Sequence, residues 1–397
     1  MRLSRDRVMF VTCLVLAGVA LRPTLAVVGP LLKDIQAATG LSDVTAGLLT
    51  TLPVALMGVC MFATGIMQRW LGERIGITAG IVLIAACSVV RWFGPGEAGM
   101  VATALMGGLG IAMVQALMPR VISTKGGEAT AALMGFYTTA IMGGALVSSA
   151  VAPWLAKAWG WSVAMGLWAA PALLAAIVWA SFVPDGRPAG ERRAKADRAG
   201  VNLFTQLRAW QLVLLFGLGT GAYTLVLAWL PPFYVSLGRS AEMAGAMLAA
   251  VTVVEVLSGL AVSFWISRIR DRRPALLTFT ALAAAGLACL AVAPVALAWL
   301  AVPLIGLGIG GLFPLSLITA MDHARSHDEA GRIMGFVQGG GYILAGLMPV
   351  VAGALRQHLS DLTYAWWLMV GLCGLLALIA AQMRPGQDVT GADRLAG

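Results

Sequence analysis

The chain has 397 residues, of which 59% are apolar and only 11% are Asp, Glu, Lys or Arg, and its mean hydropathy is +0.87. A soluble domain devotes about a quarter of its residues to charge in order to cover its core, so this composition excludes an ordinary water-soluble enzyme. The net charge of +9 suggests a nucleic-acid partner until the basic residues are located: they fall in the links between apolar runs, which argues against DNA or RNA binding.

A helix needs about 20 apolar residues to cross the hydrocarbon of a bilayer. That window predicts twelve spans, over 8–32, 44–67, 75–93, 99–121, 129–152 and 161–183, then 209–232, 243–266, 274–293, 295–319, 332–354 and 362–383. The first run is long and has no cleavage box behind it, so it reads as a retained span rather than a signal peptide. Only Ala293 and Pro294 separate the ninth span from the tenth.

Charge orients the spans. Of the 27 basic residues, 21 lie at the two ends and in the even-numbered links. Five, Lys33, Arg91, Lys157, Arg239 and Arg356, are assigned to odd-numbered links, and Arg22 alone stands inside a span. Positive residues stay on the cytoplasmic side during insertion, so both termini are expected in the cytoplasm of a bacterium with the chain in its inner membrane. The fourth basic cluster, Arg187, Arg192, Arg193, Lys195 and Arg198, marks a flexible linker over 184–208. It divides the chain into two six-span bundles, 1–183 and 209–397.

The halves repeat at a spacing of about 200 residues. Ala46-Gly47 matches Ala244-Gly245, Gly108-Leu-Gly-Ile111 matches Gly306-Leu-Gly-Ile309, and Met134-Gly-Phe136 matches Met334-Gly-Phe336. Like-oriented repeats imply a pseudo-two-fold along the membrane normal with a substrate site between the halves, as in secondary transporters of the major facilitator type. The fold class expected is therefore all-α: twelve transmembrane helices in two pseudo-symmetric halves. Gly306-x-Gly308-x-x-Gly311 fits a dinucleotide pattern, but it lies in an apolar span with no strand before it, so its glycines are read as helix-packing sites, as are Gly217 and Gly221. Walker A, His-Glu-x-x-His and Gly-x-Ser-x-Gly patterns are absent. Neither a cofactor nor a metal is expected; Cys13, Cys60, Cys87, Cys289 and Cys373 sit in spans, and His323, His327 and His358 are read as solvated link residues.

Arg22 is the most informative residue, since placing it in a span costs about 2.5–3.5 kcal/mol. Pro23 follows it and should break the helix there, leaving a planar, permanently charged donor facing a cavity and suited to a small anion. Its alternative is an ion pair with Glu255 in the eighth span. Glu255 is accordingly either a gate locked to Arg22 or a group that carries a coupling proton. Gln115 and Gln338, at similar depths in opposite halves, suit hydrogen bonding to substrate or to a neighbouring helix. Tyr137, Tyr223, Tyr342, Trp229 and Phe313 are candidates to line a compact pocket, with core or lipid packing as the other reading for each.

The second link, Gly65-Ile-Met-Gln-Arg-Trp-Leu-Gly-Glu-Arg74, resembles the signature that follows the second helix in the facilitator superfamily, through Gly65, Arg69, Gly72 and Arg74; Arg69 stands where the signature has an acid. Further stretches carry a narrower resemblance. Leu21-Arg-Pro-Thr24 with Val28-Gly-Pro-Leu-Leu32, Leu48-Leu-Thr-Thr-Leu-Pro53, Gly110 to Pro119, Ala140-Ile-Met-Gly-Gly144, Ala228-Trp-Leu-Pro231, Gly311-Leu-Phe-Pro314 and Gln338-Gly-Gly-Gly-Tyr342 resemble the cyanate and 2-nitroimidazole transporter family. Met321-Asp-His323 and the pattern from Gly221 to Pro231 are most similar to its cyanate branch. The resemblance implies a secondary transporter whose substrate is a small anion such as cyanate bound at Arg22; a monomer is expected. Glu255 departs from the neutral residue expected in that branch. Export of nitroimidazole-like compounds is the alternative within transport, and a ligand-binding receptor the alternative outside it.

Overall fold

A computed structural model describes residues 5–183, 202–266 and 269–390; the basic cluster of the long linker lies outside the described residues. Among the described residues, twelve helices are long and apolar enough to cross a membrane. The first span is built of three pieces, Arg5–Leu21, Pro23–Ala26 and Val28–Thr39, so it continues seven residues past its expected end. The others are Asp43–Trp70, Glu73–Trp92, Glu97–Gly126, Thr130–Trp159 and the pair Trp161–Gly166 and Ala169–Phe182. The second half comprises Leu207–Ser236, Ala241–Trp265, Arg273–Val292, Ala298–Asp322, His327–Leu359 and Thr363–Ala381. Ser42 and Ser240 cap the second and eighth spans, each accepting a hydrogen bond from the amide three residues on. The ninth span does end at Val292, and Tyr234 donates to the Pro294 carbonyl at 2.9 Å in the turn that follows.

The repeat is visible as paired contacts between the halves. A Cβ added at Gly47 would lie 2.5 Å from the Pro349 carbonyl, and one at Gly245 would lie 2.7 Å from the Ser149 carbonyl. The matched Ala-Gly pairs are thus where the second span meets the eleventh and the eighth meets the fifth. Backbone contact between the second and eleventh spans continues at Gly346 against Thr51 and Ala55, and at Gly58 against Gly339, with Val350 N donating to Thr51 Oγ1 at 3.2 Å. The Gly306 to Gly311 motif is also explained by packing. Gly308 approaches the backbone of Ala283 and Gly310 that of Glu255 so closely that any side chain would collide. The seventh span is buried along nearly its whole length, from Leu212 to Tyr234, which fits its apolar character on every face.

Charges at the two ends follow the same repeat. At the end carrying the odd-numbered links, Asp43 pairs with Arg356 at 3.4 Å and Glu242 with Lys157 at 3.7 Å. Both pairs join one half to the other, acid at the start of the second or eighth span, base at the end of the eleventh or fifth. At the even-link end Glu73 pairs with Arg120 at 2.7 Å and Asp322 with Arg272 at 2.8 Å. These pairs occupy matched positions too, with the charges exchanged, but each stays within its own half.

Two sequence expectations need correction here. Arg91 is not a solvated link residue: it lies in the third span and is 2% exposed. His323 is buried as well, because residues 384–390 fold back over it; its Nδ1 lies 2.8 Å from the Thr319 carbonyl, and its own carbonyl accepts from Val389 N at 3.2 Å.

Candidate functional site

The site begins at the break in the first span. Pro23 has no N–H for the carbonyl four residues back, that of Val19, and the Gly144 backbone of the fifth span packs against that carbonyl. Within the break the Arg22 carbonyl accepts from both Leu25 N and Ala26 N, at 3.0 and 2.9 Å. The Thr24 carbonyl accepts a hydrogen bond from Arg91 Nη1 at 2.6 Å, and Arg91 Nε donates to Thr103 Oγ1 at 3.0 Å. Sequence reading missed Arg91 because Trp92-Phe-Gly-Pro95 follows it directly and resembles the start of a link.

Arg22 is 5% exposed, and its Nε has no hydrogen-bond partner. Its guanidinium carbon lies 5.7 Å from the centre of the Tyr223 ring, within the range of a cation–π contact. The field of the guanidinium reaches the hydroxyls of Tyr137, Tyr223 and Tyr342 and the carboxylate of Glu255. Spans one, five, seven, eight and eleven therefore contribute polar groups around one charge. Glu255 is 9% exposed, and no ion pair joins it to Arg22 among the described residues.

Several buried polar atoms have no hydrogen-bond partner among the described residues: Tyr137 Oη, Tyr223 Oη, Gln115 Oε1, and the hydroxyls of Thr50 and Thr220. A threonine in a helix normally bonds the carbonyl three or four residues back, as Thr252 and Thr280 do here. Thr50 and Thr220 do not, and each orphaned group costs about 1–3 kcal/mol. Thr220 precedes Tyr223 by less than one turn. Neither threonine was singled out from sequence, where a hydroxyl in a span carries no sign of whether it bonds its own helix. Gln338 is half-buried and makes no hydrogen bond among the described residues.

The aromatics divide. Tyr342 and Phe313 meet through Phe216, at ring separations of 5.2 and 5.5 Å, and so extend the Arg22 cluster into a hydrophobic wall. Trp229 belongs elsewhere. Its Nε1 donates to the Pro349 carbonyl at 2.8 Å, and Arg356 lies 5.4 Å over its ring, so it supports the Asp43–Arg356 tie. The second link lies at the even-link end: Arg74 Nη2 donates to the Ala180 carbonyl at 2.5 Å, Arg69 is exposed, Gly65 is in open space, and Gly72 turns the chain at φ 67°. The acid there is Glu73, turned to Arg120 and, through Arg120 Nη1, to Gln68 at 2.7 Å. In the matching eighth link, hydrogen bonds from Arg273 hold the Asp271 carboxyl below the usual carboxylate range. Two surface cavities, of about 620 Å³ beside Lys157 and Glu242 and about 410 Å³ beside Arg272 and His323, lie at opposite ends, and neither is lined by Arg22.

Twelve spans in two related halves, with the Arg22 charge among polar groups from both, have the architecture of a membrane transporter of the two-bundle class. The sequence profile of the Major Facilitator Superfamily matches residues 8–343. The chain belongs to that superfamily and, within it, to the cyanate and 2-nitroimidazole transporter family. It is 36% identical over 364 residues to the cyanate transport protein CynX of Escherichia coli K12, covering 90% of this chain and 94% of that protein. It is 26% identical over 358 residues to the 2-nitroimidazole transporter of the same organism, covering 89% and 90%. Among solved structures, the D-xylose-proton symporter superimposes with a TM-score of 0.80 at 16% identity, covering 97% of this chain and 99% of that one, a likeness of fold alone.

Proposed function

We propose that this protein carries a small monovalent anion, cyanate as the first candidate, across the bacterial inner membrane by alternating access, with Arg22 as the fixed charge that binds it. The observation that carries the reading is the unpaired Arg22 guanidinium, buried with a free Nε among the tyrosines of both halves. An anion leaving water for this buried site loses its hydration; a unit charge about 4 Å away at an effective dielectric near 20 returns about 4 kcal/mol. That suffices for capture and still permits release. Tyr137, Tyr223, Gln115 and Thr220 offer neutral groups to orient the ligand, with Gln338 and Tyr342 completing the set from the eleventh span. Residues 1–183 and 209–397 move as two bodies, as a monomer, with the even-link end and both termini in the cytoplasm. Similarity to the cyanate transport protein supports the substrate choice.

Glu255 takes the coupling proton in this reading. It is buried, feels Arg22 and Tyr223, and is bound to neither, so its charge can change without dismantling a salt bridge.

The test is counterflow in proteoliposomes with labelled cyanate, with and without a pH gradient. Arg22→Ala is expected to abolish exchange, a loss of at least about a hundredfold for a charge-assisted contact, while the protein still purifies as a folded monomer. Full exchange by that variant would reject the role of Arg22. Glu255→Gln is expected to retain counterflow and to lose accumulation driven by the gradient; retained accumulation removes Glu255 from coupling. Exchange of 2-nitroimidazole in place of cyanate would move the protein to the other branch of its family.

A further inference from the structure

Among its described residues the first half buries two arginines, and they are held in opposite ways. Arg22 keeps an unpartnered Nε. Arg91 directs its fork at two neutral acceptors on two other spans, the Thr24 carbonyl and Thr103 Oγ1. Thr103 gives its own proton to the Met100 carbonyl at 2.8 Å, so the oxygen that faces Arg91 accepts. No carboxylate pairs with Arg91 among the described residues. A second full positive charge so deeply buried, with only neutral acceptors, is expensive, and what it grips is the break itself, two residues after Arg22. The Pro23–Ala26 turn keeps helical backbone at Arg22 and Val27, and bonds from Leu25 N, Ala26 N and Val27 N to the Arg22 and Pro23 carbonyls hold its start, whereas the acceptor role of the Thr24 carbonyl is filled by Arg91. A rigid, planar guanidinium bonded at two points fixes the direction of the turn there.

We propose that Arg91 is the positioning residue of the anion site: by holding the Thr24 carbonyl it sets the direction in which Arg22 leaves the broken helix, and with it which anions the site accepts. The inference rests on Arg22 as the charge partner of the substrate. Positive charge alone is not its role, because charge without the fork does not fix the turn. Arg91→Lys keeps the charge and has a single donor group; Thr103→Val leaves Arg91 in place and removes one acceptor.

The experiment is counterflow of labelled cyanate challenged with thiocyanate, nitrate and 2-nitroimidazole, together with amide hydrogen exchange over residues 19–31. Arg91→Lys is expected to raise the half-saturating cyanate concentration about tenfold and to relax the preference for cyanate, with maximal rate within about twofold of wild type. Thr103→Val should move the same quantities in the same direction by less, and it carries the test if Arg91→Lys does not fold. Exchange over 19–31 should rise in both variants. Unchanged selectivity, or a fall in maximal rate at constant half-saturation, overturns the proposal and leaves Arg91 a packing residue. A wild-type protein that exchanges none of the four compounds overturns the anion reading instead; the amide exchange then decides separately whether Arg91 holds the break, and no rise in either variant overturns that too.

Discussion

The two ends of the molecule use the same repeated positions for opposite purposes. At the odd-link end, Asp43–Arg356 and Glu242–Lys157 bind one half to the other. At the even-link end, Glu73–Arg120 and Asp322–Arg272 bind each half to itself. In the alternating-access reading proposed above, a chain that must open to either side in turn needs stiff halves and a tie between them that yields. Partly exposed ion pairs contribute only about 0.2–1 kcal/mol each, so the tie at the odd-link end is weak enough to part in every cycle. The pairs within each half need never part, and they stiffen the bodies that move. The two cross-half ties are also unequal. Asp43 accepts a further hydrogen bond from Gln36 Nε2 at 2.8 Å, and Arg356 lies over Trp229, whereas Lys157 is largely in the open, its side chain 75% exposed.

Breaking this comparison begins with sterics. Gly47→Leu places a side chain where even a Cβ lies 2.5 Å from the Pro349 carbonyl, so the odd-link end cannot close. The expected result is a longer distance between spin labels on the two halves at that end and a loss of counterflow of at least about tenfold, the consequence of a shift of about 1.4 kcal/mol or more. Unaltered label distances would show that the second and eleventh spans do not govern closure. Charge comes next. Arg356→Gln removes an ion pair and a cation–π contact together, and should shift the same distance distribution by about 1 kcal/mol, roughly fivefold in population. Lys157→Gln should shift it by less than about 0.5 kcal/mol, near the limit of measurement. Equal effects from the two would mean that the pairs share the load and that Trp229 adds nothing to the first.

Much of the architecture was legible before any coordinates. Runs of apolar residues fix where helices cross a bilayer, and Pro23 beside Arg22 fixed the place of the break. Ala46-Gly47 and Ala244-Gly245 gave away the repeat and mark the cross-half contacts themselves. What sequence concealed was partnership. Asp43 and Arg356 are separated by 313 positions, Arg91 and Thr24 by 67, and hydropathy carries no record of which helix faces which. Arg91 resembled a link residue because it lies close to a Gly-Pro turn. Trp229 stood among five aromatics that could line a pocket or pack in the core, and hydropathy does not reveal that its indole bonds the Pro349 carbonyl. Burial of His323 depends on the tail beyond Ala381, which has no hydropathy pattern of its own.

The glycine contacts between the second and eleventh spans have a mechanical consequence. At Gly47 and Gly346 main chain rests on main chain, whereas at the far end Ile343 packs into Gly58 and the Phe62 ring into Gly339. Where backbone meets backbone the two helices can shift without a side chain leaving its rotamer well, so friction is lowest at the Gly47 end of the seam. The seam is thereby suited to act as the bearing on which the halves pivot, and any bulky replacement along it would be felt as drag on turnover before it was felt as lost affinity.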